Sequence, residues 1–166
     1  FSAVTDKLTG LYNRRYFMDV LEQEIARSRR FGHPISVAMI DIDHFKHYND
    51  KNGHPKGDSL LQILSDIIKK NVRDVDTVGR YGGEEFTLIL PVTGMEGAVT
   101  VGERIRGRIE SHDFIPRPGQ TATTTVSVGV AQYRNGETTD ELTKRADKAL
   151  YKAKELGRNR VELADI

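Results

Sequence analysis

The run Arg80-Tyr81-Gly82-Gly83-Glu84-Glu85-Phe86, continuing through Thr87, Leu88, Ile89 and Leu90 to Pro91, restricts how this chain can fold more than any other stretch. Two adjacent glycines between β-prone segments predict a β-hairpin, because tight hairpin turns need positive φ angles, which glycine adopts without steric cost. Glu84 then leaves the turn at the mouth of the second strand. Alternation with period two sends Glu84, Phe86, Leu88 and Leu90 to one face and Glu85, Thr87 and Ile89 to the other. The adjacent carboxylates point apart, so only one of them serves a given site.

The residues around the hairpin read as alternating helices and strands. Asn13 is placed to cap a helix running to about Arg30, with Phe17, Val20, Leu21 and Ile25 at helical spacing, arginines in the last turn and Gly32 as the stop. After His33-Pro34, the stretch Ile35 to Asp43 reads as a β-branched core strand, with Asp41 and Asp43 at its exit on the face of Val37 and Met39. His44 to Asn49 follows as a short helix capped by Asp43, then a polar turn to Asp58, then an amphipathic helix from Ser59 to about Asn71 with Asp58 at its start. Asp76 to Arg80 is the first arm of the hairpin. Met95 to Ile109 reads as a helix, Gly119 to Tyr133 as a strand or hairpin beyond a two-proline loop, Thr139 to about Leu156 as a helix stopped by Gly157, and Arg160 to Leu163 as a last short strand. That order predicts an α+β fold, a mainly antiparallel central sheet with flanking helices.

At 166 residues the chain suits one domain, residues 1–166, with residues 1–12 as an N-terminal linker segment and turn. A net charge of +1 gives no basic surface for nucleic acid, so any anion site must be local. The absence of cysteine excludes thiol catalysis and suits a reducing, cytoplasmic setting. No apolar run approaches the roughly 20 residues of a membrane span, and no contact of this domain with a membrane is expected.

Asp41 and Glu84 become neighbours if their strands pair. Two carboxylates about 4 Å apart repel by roughly 4 kcal/mol at an effective dielectric of about 20, so the pair requires a shared proton, a basic partner or a metal. Oxygen ligands beside an open turn suit Mg²⁺ or Mn²⁺, which complete their shells with water and substrate phosphates; pairing with Lys or Arg is the other reading, and spacing leaves both open. Lys46, Lys154 and Arg158 are candidate phosphate binders. Lys154 and Arg158, four residues apart, fall on one side of a helix end, where cations also simply complement the dipole. Arg73 and Asp76 read either as surface charges or as a second anion site, Arg73 presenting its planar fork and Asp76 accepting from guanine. His44, His47 and His54 lack the cysteines or His-Glu motif that zinc would call for.

The blocks Asp6 to Arg15, Asp41 to Lys46, Asn49-Asp50 through Gly57-Asp58, Arg80 to Phe86, and Arg145-Ala146-Asp147 through Gly157-Arg158-Asn159 together resemble the GGDEF family of diguanylate cyclases, in a Gly-Gly-Glu-Glu-Phe form. The resemblance implies a fold similar to adenylyl cyclases and polymerase palms, and condensation of two GTP into cyclic di-GMP and two pyrophosphates across a homodimer. It further implies that Asp41, Glu84 and the Ile42 carbonyl hold two Mg²⁺ or Mn²⁺ ions per active site, with Glu84 assisting as base. Asn49 and Asp58 would read guanine. Phe45 (by its backbone amide), Lys46, Lys154 and Arg158 would hold phosphates, and His54 falls in the same substrate-binding block. Arg73, Asp76 and Arg104 correspond to an inhibitory site for the cyclic di-GMP product, and an upstream sensor or regulatory domain is implied as partner. A non-catalytic nucleotide sensor and a template-dependent polymerase palm are the rival classes. The intact acidic and basic positions count against the first, and the near-neutral charge against the second.

Overall fold

The computed structural model describes residues 3–165; the expectations for residues 1, 2 and 166 lie outside the described residues. In chain order the elements are α1 (Arg14–Phe31), β1 (Ile35–Ile42), α2 (Phe45–Asn52), α3 (His54–Lys70), β2 (Thr77–Arg80), β3 (Glu85–Pro91), α4 (Met95–Glu110), β4 (Phe114–Arg117), β5 (Gln120–Ala122), β6 (Val126–Gln132), α5 (Thr139–Glu155) and β7 (Val161–Leu163). The fold is α+β. Five strands form one sheet in the order β2-β3-β1-β6-β7, antiparallel except where β7 runs parallel to β6; β4 and β5 make a separate hairpin.

Every residue of β1 is buried, because helices cover both faces of the sheet. This explains its continuous apolar run where a half-exposed strand would alternate. On one face Ala38, Ile40, Phe86 and Leu88 pack against Leu60, Leu64 and Ile68 of α3 and Ile105 and Ile109 of α4. On the other, Val37, Met39 and Ile89 pack against Phe17, Leu21 and Ile25 of α1 and Leu142, Ala146 and Leu150 of α5. Each fully buried side chain of this size contributes about 1.5–3 kcal/mol by leaving water. Gly129 in β6, paired with Met39, lets α5 sit directly on the sheet: a Cβ there would lie 2.2 Å from the Leu150 nitrogen and 2.3 Å from the Ala146 oxygen. This close seat brings the end of α5 over the end of β1. Among the described residues no helix is long and apolar enough to cross a membrane.

Several local expectations are met. Asn13 caps α1 by accepting from the Tyr16 amide, and Gly32 ends the helix in the left-handed region at φ 70°. Other expectations are corrected. The segment from Asn49 to Asp58 is helical except at Gly53, whose φ of 90° turns the chain from α2 into α3, with Pro55 in the first turn of α3. Proline is pre-set for that position, where its missing amide hydrogen costs nothing. Asp58 therefore lies inside α3 and caps nothing. Asp43 does not cap α2 either; the N-cap is His44, in the left-handed region at φ 56°, with no side-chain cap bond. Residues 4–12 are less of a linker than expected. Leu11 is in the core, and Thr5 and Tyr12 bridge each other while Tyr12 also bridges Gly79.

The candidate active site

Glu85 opens β3 and Glu84 ends the turn before it, and the hairpin's glycines act differently from the sequence reading. Neither Gly82 nor Gly83 is among the positive-φ residues. The connection between β2 and β3 is longer than a two-residue turn, closed by Tyr81 and Gly82 amides donating to the Glu85 carbonyl and by Arg80 donating to the carbonyls of Gly82 and Gly83. Gly82 stands close to the Glu85 side chain: a Cβ there would lie 3.1 Å from its carboxylate, which a small shift of that side chain would relieve. Nothing in the structure excludes a side chain at Gly83. Arg80 is anchored in turn by Asp6, through contacts of 3.1 and 3.2 Å, and Asp6 also accepts from the Thr9 amide and hydroxyl. Burial raises the Asp6 carboxyl, but these bonds more than offset it and hold it below the ordinary carboxylate range.

Strands β1 and β3 pair with Asp41 opposite Glu85, and the Ile42 amide donates to the Glu84 carbonyl at 3.3 Å. Asp41, Ile42 and Glu84 therefore meet at one end of the sheet. Asp41 is 4% exposed near the end of the central strand, and its Oδ2 accepts from the Lys154 ammonium of α5. Its Oδ1 is buried with no hydrogen-bond partner. Burial raises the Asp41 carboxyl above the ordinary range; Lys154 opposes this, while the charges of Asp43 and Asp147 add to it. Glu84 is raised by burial and then by Asp41. Glu85 is raised by burial, Asp41 and Asp147, with Lys154 and Arg14 opposing. Asp43, by contrast, is fully engaged, accepting from the hydroxyls of Thr125 and Ser127 at 2.7 and 2.6 Å and from the Asn159 amide at 3.0 Å. It ties the loop after α5 to β6, which is the physical reason it is unavailable as a cap.

Two carboxylates, one with an unpartnered buried oxygen, and a strand-end carbonyl are all hard oxygen donors. Among the described residues no group of three or more His, Cys, Asp or Glu is arranged to hold a metal. An incomplete set of this kind fits Mg²⁺ or Mn²⁺, which keep waters and draw further ligands from phosphates. Phe45 opens α2, whose N-terminal amides have no side-chain cap and so can face an anion. Lys46 is exposed beside it, and His54 is exposed at the start of α3.

Asn49 lies against α3, where a Cβ on Gly57 would fall 1.7 Å from its Oδ1, and that oxygen is buried without a partner. Asp58 is exposed one residue beyond Gly57. The tight turn at Gly53 thus brings together two residues that a long loop would have held apart. Arg158 does not share a helix face with Lys154, because α5 ends at Glu155 and Arg158 lies past Gly157 in the left-handed region at φ 65°. Its side chain is exposed while Lys154 points to Asp41.

Arg73 bonds Asp76 through two nitrogens at 2.8 and 3.3 Å and also donates to the Pro91 carbonyl and Thr93 hydroxyl. The Asp76 side chain is 1% exposed, so it orients Arg73 and cannot accept from a guanine. Arg104 donates to the Asn71 carbonyl, which puts both arginines on the side of the molecule where α3 ends. Sequence reasoning quoted Asp147, Arg14 and Gly57 within the motif blocks but gave none of them a role. Asp147 lies seven residues before Lys154 on the same helix, whereas the close approach of Gly57 to Asn49 was hidden while its surroundings were read as a turn.

Comparison with known proteins identifies the family and the fold. Residues 3–160 match the family model described as diguanylate cyclase, GGDEF domain. Diguanylate cyclase DgcP of Pseudomonas aeruginosa is 42% identical over 162 residues, 98% of this chain and 24% of the relative. The response regulator PleD of Caulobacter vibrioides is 44% identical over 161 residues, 96% of this chain and 36% of the relative. The chain thus spans about a quarter to a third of these relatives. The GGDEF domain of DgcB from Caulobacter crescentus, crystallised in complex with c-di-GMP, superposes with a TM-score of 0.95 at 38% identity, covering 100% of this chain and 96% of that one.

Proposed function

The chain belongs to the GGDEF-domain diguanylate cyclase family, and from that premise we propose that it condenses two GTP molecules into cyclic di-GMP and two pyrophosphates as a single catalytic domain working in a symmetric pair. The observation that carries this reading is the buried, unpartnered Oδ1 of Asp41 at the end of β1, with the raised carboxyl of Glu84 beside it. Asp41, Glu84 and the Ile42 carbonyl would hold two Mg²⁺ or Mn²⁺ ions. Such ions, when bound, supply neutralisation of the triphosphate and acidify the ribose 3′-hydroxyl.

The residues of the chain carry the rest. The amides at the start of α2, with Lys46, Lys154 and Arg158, bind phosphates; Asn49 and Asp58 read the guanine, beside His54. Each 3′-oxygen attacks the α-phosphorus of the opposing GTP, forming a phosphodiester as the bond to the β-phosphate breaks and pyrophosphate leaves. Glu84 accepts the proton of the 3′-hydroxyl, a role suited to a carboxylate whose basicity is raised by burial. Because each domain binds one GTP, reaction requires a second copy presented face to face, by concentration or by an upstream regulatory domain. Arg73, oriented by Asp76 and seated on the Pro91 carbonyl at the far end of β3 from the hairpin tip, and Arg104, on the Asn71 carbonyl, form an inhibitory product site. The reaction is read as taking place in the cytoplasm.

The test is incubation with GTP and Mg²⁺ over a range of protein concentrations, with products identified by mass spectrometry. Cyclic di-GMP should appear at a rate rising faster than linearly with protein and should be absent with Glu84→Ala. No cyclic di-GMP at any concentration, or an unaffected Glu84→Ala variant, would overturn the reading.

A further inference from the structure

The contact between Lys154 and Asp41 has a meaning that phosphate binding alone does not give it. Asp41 is bonded by Lys154 and lies opposite Glu85 in the β1–β3 register; the charges of Asp43 and Asp147 act on Asp41 as well, Lys154 opposes the acids at Asp41, Glu84 and Glu85, and Arg14 opposes Glu85 alone. Arg14 is engaged elsewhere, its guanidinium lying 4.1 Å from the centre of the Tyr81 ring. Lys154 is therefore the cation in direct contact with the buried acid. A buried carboxylate without any cation is strongly disfavoured. An ammonium and a divalent ion on the same carboxylate repel each other, so the two alternate there.

Lys154 is built to leave. Its side chain is 33% exposed against 5% for Asp41, it stands in the last turn of α5, and a lysine stem carries a point charge that re-aims more freely than the arginine fork. We propose that Lys154 is the resident counter-ion of the metal site: without nucleotide its ammonium neutralises Asp41 in place of a divalent ion, and it passes to the incoming phosphates as the ion takes its place. This rests on the metal-site reading of Asp41 and Glu84 and adds an order of loading to it. Metal alone binds weakly, nucleotide and metal bind as a unit, and each raises the affinity of the other by the same factor. Lys154 acts here as a positioning residue, keeping the acids correctly arranged and uncollapsed between turnovers.

The test is titration of Mn²⁺, with free ion followed by its electron paramagnetic resonance signal, with and without a non-hydrolysable GTP analogue. Lys154→Met should bind Mn²⁺ alone about tenfold or more tightly than the unmodified chain, and the enhancement produced by the analogue should shrink correspondingly. Lys154→Arg, which keeps the charge, should bind Mn²⁺ alone no more tightly than the unmodified chain, and Lys154→Gln should repeat the methionine result if the latter variant folds poorly. Unchanged or weaker binding of Mn²⁺ alone by both neutral variants, while Asp41→Asn still abolishes binding with the analogue, would overturn the counter-ion role and leave the metal site standing. If Asp41→Asn has no effect on Mn²⁺ binding with the analogue, the metal-site reading fails and the counter-ion role falls with it.

Discussion

Replacing Gly57 with alanine should raise stability and weaken nucleotide binding at once. The added Cβ would stand 1.7 Å from Asn49 Oδ1 and 2.8 Å from its Cγ, so the Asn49 side chain must rotate away. For the fold this is inexpensive. Alanine is favoured over glycine inside a helix by about 1 kcal/mol, and the displaced oxygen is one that has no partner where it lies. The expected net gain is about 1 kcal/mol, which for a chain of this size raises the melting temperature by about 2–4 °C. Recognition moves the other way. If Asn49 reads the guanine as proposed, losing its hydrogen bonds should cost about 1–3 kcal/mol, or roughly 5- to 150-fold in affinity for a GTP analogue. Thermal melts without nucleotide and calorimetric titration with the analogue read the two effects separately. Since both changes act through one side chain, Asn49→Ala should cost no further affinity in the Gly57→Ala background. An unchanged affinity, or a loss of stability of more than about 2 kcal/mol, would refute the reasoning.

Gly129→Ala, where the new Cβ meets helix backbone, should destabilise the chain by about 3 kcal/mol or more, measured by denaturant unfolding. Asp6→Ala, which frees Arg80 from its anchor and unpairs the Thr9 amide, should cost about 1–3 kcal/mol in the same measurement and slow product formation by loosening the hairpin tip. Glu84 has a raised folded-state pKa, so its favourable contribution exists below the ordinary carboxylate range and is lost as pH rises through the raised value; Glu84→Gln should therefore be more stable than the unmodified chain at about pH 8, with the difference fading towards about pH 4. Glu137, lowered because bonds from Arg145 and Arg134 outweigh its burial, has the opposite sign: its contribution is present above the ordinary range and lost as pH falls through the lowered value, so Glu137→Gln should destabilise most at neutral pH.

The positions of most elements were legible in the chain because their signals are local. The periodicity of α1, the Asn13 cap and the β-branched run of β1 depend on neighbours in sequence, and the structure contains all of them. The turn geometry assumed for the hairpin was not found, since neither of its glycines has a positive φ, and the expected separation of Glu84 from Glu85 does not isolate them electrostatically: Asp41 and Lys154 act on both. Other features were hidden because they depend on distant residues. The polarity of Asn49 to Asp58 looked like a loop, yet a single left-handed glycine divides two helices there whose exposed faces account for that polarity. Asp43 looked like a cap until Ser127 of β6 and Thr125 just before it proved to be its partners. The spacing of Lys154 and Arg158 implied a shared helix face, but the helix stops between them. The pairing of Lys154 with Asp41, residues 113 apart in the chain, is set by how closely α5 sits on Gly129 and is written in no local motif.

Anomalous diffraction from crystals grown with Mn²⁺ and a non-hydrolysable GTP analogue tests the metal site most directly. The account predicts peaks within coordination distance, about 2.0–2.3 Å, of Asp41 and Glu84 oxygens, with Lys154 moved from Asp41 to a phosphate. Nucleotide bound with no peak at these carboxylates, and Lys154 still on Asp41, would contradict it.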